Sequence, residues 1–147
     1  MRLPPEIQFY KDAHLLVYRP HGLLNEASVN KVTSLIEDLE EKLKEPFDRF
    51  FDTLEHDDVE LNFRYVINVS LYRRLSYAGH PPIKSAILAT DPAAIHYASL
   101  HAVVTQGSPI KVRVFEDRQK AAQWLNVPIE LRTAATSGDT RSPGTKN

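Results

Sequence analysis

The sequence predicts an α/β domain: one mixed, mostly parallel sheet of about five strands with four helices. Three observations predict it. Segments of strand length alternate with helical ones along the chain, the pattern of a layered α/β architecture. The length, 147 residues, suits a single domain. The composition, 42% hydrophobic and 25% charged, is that of a globular protein with a core to bury. Lys and Arg number 18 against 19 Asp and Glu, a formal charge of −1, which argues against a nucleic-acid binder relying on broad phosphate neutralisation. The chain has no cysteine, so disulfides, thiolate metal sites, Fe–S clusters and a cysteine nucleophile are excluded. No apolar run approaches the roughly 20 residues of a membrane span, and Met1 to Glu6 lacks the apolar stretch of a signal peptide. A soluble, cytoplasmic domain is expected.

The elements follow in order. Ile7 to Tyr10 and His14 to Arg19 are apolar runs parted by Lys11-Asp12, which reads as a hairpin closed by Pro20-His21-Gly22. Leu15-Leu16-Val17 does not alternate, as expected of a strand covered on both faces. Asn25 or Ser28 caps the first helix, because either side chain can accept from a free amide of the first turn. Val29, Val32, Leu35, Ile36, Leu39 and Leu43 form its single apolar stripe, at spacings of 3, 3, 1, 3 and 4. Glu37, Asp38, Glu40, Glu41, Lys42 and Lys44 fall on the wet side, Glu40 and Lys44 as an i,i+4 pair. Pro46 ends the helix.

Phe47 to Thr53 is a third, aromatic-rich strand. From Val59 to Ala78 two patterns compete: Leu61, Phe63, Tyr65, Ile67, Val69 and Leu71 alternate, while Leu61, Tyr65, Val69 and Tyr72 fit a helical stripe. About twenty residues is too long for one strand, and parallel strands need a crossover that is usually helical, so a second helix capped by Asp57 or Asp58 is predicted. Ile83 to Thr90 is the fourth strand, and Asp91-Pro92 opens the third helix. Pro109 to Phe115 is the fifth strand, and Asp117 caps a last short helix with Ala121, Ala122, Trp124 and Leu125. The domain is expected over residues 1–131. The stretch 132–147, rich in Ala, Thr, Ser and Gly, is expected to be a disordered tail.

This order, with certain residues, resembles the SpoIIAA-like branch of the STAS-type domains, the anti-sigma-factor-antagonist kind. The local matches are Gly22-Leu23-Leu24, Phe47 to Thr53, Pro82 to Ala86, Val112 to Phe115 and Ala121-Ala122-Gln123-Trp124-Leu125, across roughly residues 8–127. The resemblance implies a first strand antiparallel to the rest and helices on the sheet's faces. It implies protein–protein interaction as the usual role, with nucleotide or lipid binding in some relatives. In the phosphorylatable antagonists a Ser or Thr follows an Asp at the end of the third strand, at a helix N-terminus; Asp52-Thr53 is the matching pair. Leu54-Glu55-His56-Asp57 then departs from that pattern, with no second hydroxyl and no glycine, and Glu55, Asp57 and Asp58 would repel a phosphate.

Chemical signals are sparse. The five glycines cannot form a GxGxxG or Walker-type loop, so no cofactor is expected. No two histidines stand four apart as in a helical zinc site. His56-Asp57-Asp58 is the one local group with ligand chemistry, read here as a loop that caps the next helix, and no metal is expected. Ser70 and Ser85 lack a nucleophile elbow, so no catalytic residue is assigned. The second helix is apolar around much of its circumference, at Phe63, Tyr65, Ile67, Leu71, Tyr72 and Leu75; it is expected to lie deep in the monomer, or else to share one face with a second subunit or an acyl chain. Arg73-Arg74 reads as a solvated helix end, or else as the contact for an acidic partner or lipid headgroup. The leading expectation is a non-enzymatic bacterial interaction module. Its partner would be another protein or a second copy of the chain, met through Asp52, Thr53, His56, Asp58, Arg73 and Arg74. The alternative is a small-ligand or lipid-binding domain with a pocket of some hundreds of Å³ beside the second helix. A third is an enzyme pairing His56 with Asp52 or Asp58.

Overall fold

The computed structural model describes residues 3–128. The expected limit at residue 131 and the tail 132–147 lie outside the described residues. Strands β1 (Ile7–Tyr10), β2 (Leu15–Tyr18), β4 (Asp48–Asp52), β6 (Ile83–Leu88) and β7 (Ile110–Phe115) form one sheet in the order β1-β2-β4-β6-β7. β1 is antiparallel to β2, joined to it by a 3-10 turn at Lys11–Ala13, and every other pairing is parallel. Helices α1 (Glu26–Leu43), α2 (Phe63–Ser76) and α3 (Pro92–Val104) make the crossovers, and α4 (Arg118–Leu125) follows β7. The mixed five-stranded sheet with four helices is the predicted one.

Capping chemistry sets the helix starts. Asn25 and Ser28 act together on α1 as a capping box, each side chain bonding the other's backbone amide. Asp91 caps α3 ahead of Pro92, and Asp117 caps α4. Gly107, in the turn that ends α3, sits at φ +87°, where a Cβ would be strained.

Side chains alternate across the sheet, and the parallel register lines them into rows. Tyr18, Phe51 and Ile87 share a row on one face, and Val17, Phe50 and Ala86 share one on the other. The second face is closed by α4: Leu15, Val17, Phe50, Ala86 and Leu88 pack with Ala121 and Leu125. On the first face Ile7, Leu16, Tyr18 and Phe47 pack with Val32, Ile36 and Leu39 of α1, while α2 and α3 lie against each other further along.

Four expectations are corrected. The stretch from Val59 is not helical throughout: His56–Glu60 is a strand, β5, paired in parallel with β3 (Gly22–Asn25) in a separate two-stranded sheet. Both are short continuations beyond the ends of β2 and β4, and β5 is too charged to announce itself by alternation. The cap of α2 is therefore Asn62, which accepts from the Tyr65 amide, and not Asp57 or Asp58. Glu40 does not lie on the wet side beside Lys44; its carboxylate pairs with Arg49. Lastly, α2 is not deep in the monomer. Phe63, Leu71, Tyr72 and Leu75 are exposed, and Val66, Ser70 and Arg73 form the buried side.

Candidate functional site

Beneath α2, on the face opposite α4, a cavity of about 170 Å³ is left between the sheet and three helices. Its floor is Tyr18, Phe51, Thr53 and Ile87 of the sheet region, and α1 contributes Val29, Val32 and Ile36. α2 and α3 close it with Val66 and Val69 on one side and Ala94 and Ala98 on the other. Ala94 and Ala98 are buried on the cavity side of α3, and their short side chains do not fill the space. Two tyrosines at the edge are tied down. Tyr65 Oη donates to Asn30 Oδ1 at 2.6 Å, and Tyr97 Oη donates to the Leu61 carbonyl at 3.0 Å. Burial raises the pKa of Tyr65, and raises that of Tyr18 to about 12, so both stay neutral phenols.

One end of the cavity is polar, formed by Arg73 and His101. Ser70 Oγ donates to the Val66 carbonyl at 2.7 Å. That uses its only proton, so it accepts from Nδ1–H of His101, also at 2.7 Å. Burial, and then the neighbouring Arg73 charge, lower the His101 pKa to about 4, so the ring is neutral at neutral pH. Arg73 is 7% exposed, and its Nη1 is buried without a hydrogen-bond partner. Its guanidinium lies 5.3 Å from the centre of the Tyr77 ring. The nearby carboxylate, Glu40, is taken by Arg49 and by the Tyr77 hydroxyl. The cavity thus ends in one positive charge with no counter-charge among the described residues.

The other residues singled out by sequence sit elsewhere. Asp52 is buried at the end of β4, accepting from Arg118 Nη2 at 2.9 Å and from the Leu54 amide at 3.1 Å, with Arg19 Nε 3.7 Å away. Thr53 donates its hydroxyl to the Leu88 carbonyl at 2.9 Å and is followed by a turn and β5, not by a helix N-terminus. The arrangement of the phosphorylatable antagonists is therefore absent at this residue. His56 donates from Nδ1 to the Thr53 carbonyl, and its Nε2 lies 3.0 Å from Asp91 Oδ2, so its carboxylate partner is neither Asp52 nor Asp58. Asp58 is exposed and accepts from the Val59 amide. Arg73 and Arg74 part company: Arg73 turns inward, while Arg74 donates to the Val104 and Gln106 carbonyls at the end of α3. Among the described residues no group of three His, Cys, Asp or Glu is placed to hold a metal ion.

Sequence reasoning missed Ser70, Tyr77 and His101, and it placed Arg73 in solvent. A signal was present. Val66, Ser70, Arg73 and Tyr77 recur at spacings of 4, 3 and 4, a helical stripe as regular as the apolar one. Its polar members hid it.

A crystal structure of an uncharacterized protein from the DUF3478 family with a SpoIIAA-like fold, from Shewanella loihica PV-4, superimposes with a TM-score of 0.52. It is 22% identical, over 81% of this chain and 90% of that one. No family model and no curated protein matches the chain. The likeness shows the fold, which is SpoIIAA-like, with β1 antiparallel as the resemblance implied.

Proposed function

We propose that this domain is a non-catalytic binding module that holds a small, largely apolar molecule in the cavity beneath α2. The observation that carries the reading is the cavity itself. Protein interiors are close-packed, with few voids larger than a water molecule. A space of about 170 Å³ lined mainly by apolar side chains leaves those side chains without packing partners on one side, so they forfeit dispersion contacts. A guest that fills it recovers that loss. The cavity is smaller than the hundreds of Å³ expected from sequence, which suits a compact ligand or the end of an acyl chain.

Native mass spectrometry of the gently purified protein tests this, alongside an Ala98→Leu variant that fills the cavity. The wild-type chain, 16.7 kDa, is expected to carry extra non-covalent mass, or to take up an added apolar probe such as 1-octanol, and the variant to do neither. A wild-type chain that carries nothing and takes up no probe overturns the reading.

A second reading, protein–protein interaction in a bacterial cytoplasm through α2, is favoured by the row Phe63, Ile67, Leu71 and Leu75, exposed on successive turns. Sedimentation of the wild type against Leu71→Glu/Leu75→Glu checks it. A concentration-dependent dimer lost in the variant supports it, and a wild type that stays monomeric at high concentration removes the homodimer.

A further inference from the structure

Three features of the molecule stand out: the exposed row on α2, the Arg19–Asp52–Arg118 cluster and the basic end of the cavity. The exposed row has nothing on it to say what covers it. The cluster of two arginines on one aspartate already pairs its charges internally. The basic end has both a cavity and an unmet chemical demand.

A buried guanidinium without a hydrogen-bond acceptor is rare in a folded protein, because desolvating a charge is costly unless a partner replaces the water. Arg73 Nη1 is one of five such buried arginine nitrogens among the described residues, with Arg19 Nε and Nη2, Arg49 Nε and Arg118 Nε; Arg19, Arg49 and Arg118 each have a carboxylate within 4 Å, whereas Arg73 has none and lines the cavity. Its element neighbours do not relieve it. Arg49 competes for Glu40, Tyr77 offers a ring face, and His101 carries no negative charge. Elsewhere the walls are mostly Val, Ile, Leu, Ala and Phe side chains, and the hydroxyls of Thr53, Tyr65 and Tyr97 among them already donate to Leu88, Asn30 and Leu61. A molecule matching these surfaces is apolar along most of its length and carries one acceptor-only, negatively charged group at one end.

We infer that the ligand is a short-chain or medium-chain carboxylic acid, its carboxylate received by Arg73 and its hydrocarbon tail lying over Phe51 and Ile87. This rests on the reading of the cavity as a ligand site. A carboxylate suits the single charge, since Arg pairs with it through parallel N–H donors. A phosphate monoester would bring close to two charges to an end that offers one. Cavities of comparable size hold a benzene-sized guest, so the inner part of an eight-carbon acid fits and the rest of its tail reaches out past the edge.

The test is calorimetric titration of the full chain with octanoate, 1-octanol and octyl phosphate, repeated with Arg73→Met. Charge-assisted hydrogen bonds predict octanoate to bind about 10- to 100-fold more tightly than 1-octanol. In Arg73→Met that preference is expected to vanish while 1-octanol binding is kept. Equal binding of octanoate and 1-octanol by the wild type overturns the acid inference and leaves the cavity reading standing. Binding of neither overturns both. Octyl phosphate binding more tightly than octanoate overturns the carboxylate assignment. Should Arg73→Met not fold, Arg73→Lys, which keeps the charge, is expected to retain a preference for octanoate, and its loss there counts against the inference equally.

Discussion

The two faces of the sheet are built from the same strands and are filled in opposite ways. On the α4 face, one short helix suffices. Ala121, Ala122 and Leu125 are small enough, and close enough, to meet Phe50, Ala86 and Leu88 with almost no exposure. Trp124 extends the cover, with Phe115 5.6 Å from it and Lys84 Nζ donating to its carbonyl at 2.7 Å. On the other face three helices leave a cavity. There the sheet presents Arg49, Thr53 and Ser85 among its apolar residues, and α2 answers with Ser70 and Arg73. Where a polar pair is matched across the interface, as Asp52 is with Arg118 on the α4 face, the helix still closes; Arg73 of α2 has no such match. The difference teaches that the number of covering helices does not set the packing density. The chemistry of the facing rows does.

The sharpest way to break this comparison is to remove volume from the filled face. Phe50→Ala deletes a ring that is 1% exposed and is expected to lower stability by about 3–5 kcal/mol in urea unfolding. A loss under about 1 kcal/mol would mean that face is no better packed than the other.

The next largest effect is a pH dependence confined to the cavity face. The folded chain holds the His101 pKa at about 4 against an ordinary 6.5. Between those values the unfolded chain binds more protons, so stability is fully present above about pH 6.5 and falls as pH drops toward 4. The loss is at most about 3 kcal/mol. His101→Asn, which keeps a polar group near Ser70 without the titration, should flatten that part of the profile. An unchanged slope would sink the assignment.

Glu40→Gln follows. Arg49 is nearly inaccessible and relies on this carboxylate, whose side chain is 27% exposed. Leaving a buried guanidinium unpaired costs about 3–5 kcal/mol where burial is complete, and the partial exposure of Glu40 reduces this to about 2 kcal/mol. The smallest effect is the most telling for the comparison. Ala98→Leu enlarges a buried residue beside the cavity and is expected to change stability by less than about 1 kcal/mol, in either direction. In a filled core overpacking costs about 1–3 kcal/mol, so a loss of that size at Ala98 would mean the cavity is not free space.

Much of the fold was legible because it depends on local pattern. The α1 stripe, the caps at Asn25, Asp91 and Asp117, and the alternation of strand and helix each require only neighbouring residues to be read. The β3–β5 pair was not legible, since His56 to Glu60 is a strand only because Gly22 to Asn25 lies alongside it. The site was legible in fragments. Arg73 was marked from its sequence neighbours, yet its direction depends on which side of α2 meets α3, and apolar residues surround that helix. His101 lies 31 residues from the Ser70 it bonds, a pairing with no sequence signature.

By itself, then, the sequence determined the class of the fold, the helix starts, the near-neutral charge and the absence of thiol chemistry, because each follows from composition or from contacts within a few residues. Tertiary structure alone decided that α2 exposes its leucines and buries an arginine, that Glu40 serves Arg49, and that a cavity persists beneath the helix. These depend on how segments far apart in the chain share one dry volume. There, burial makes each unpaired charge costly and each partner specific.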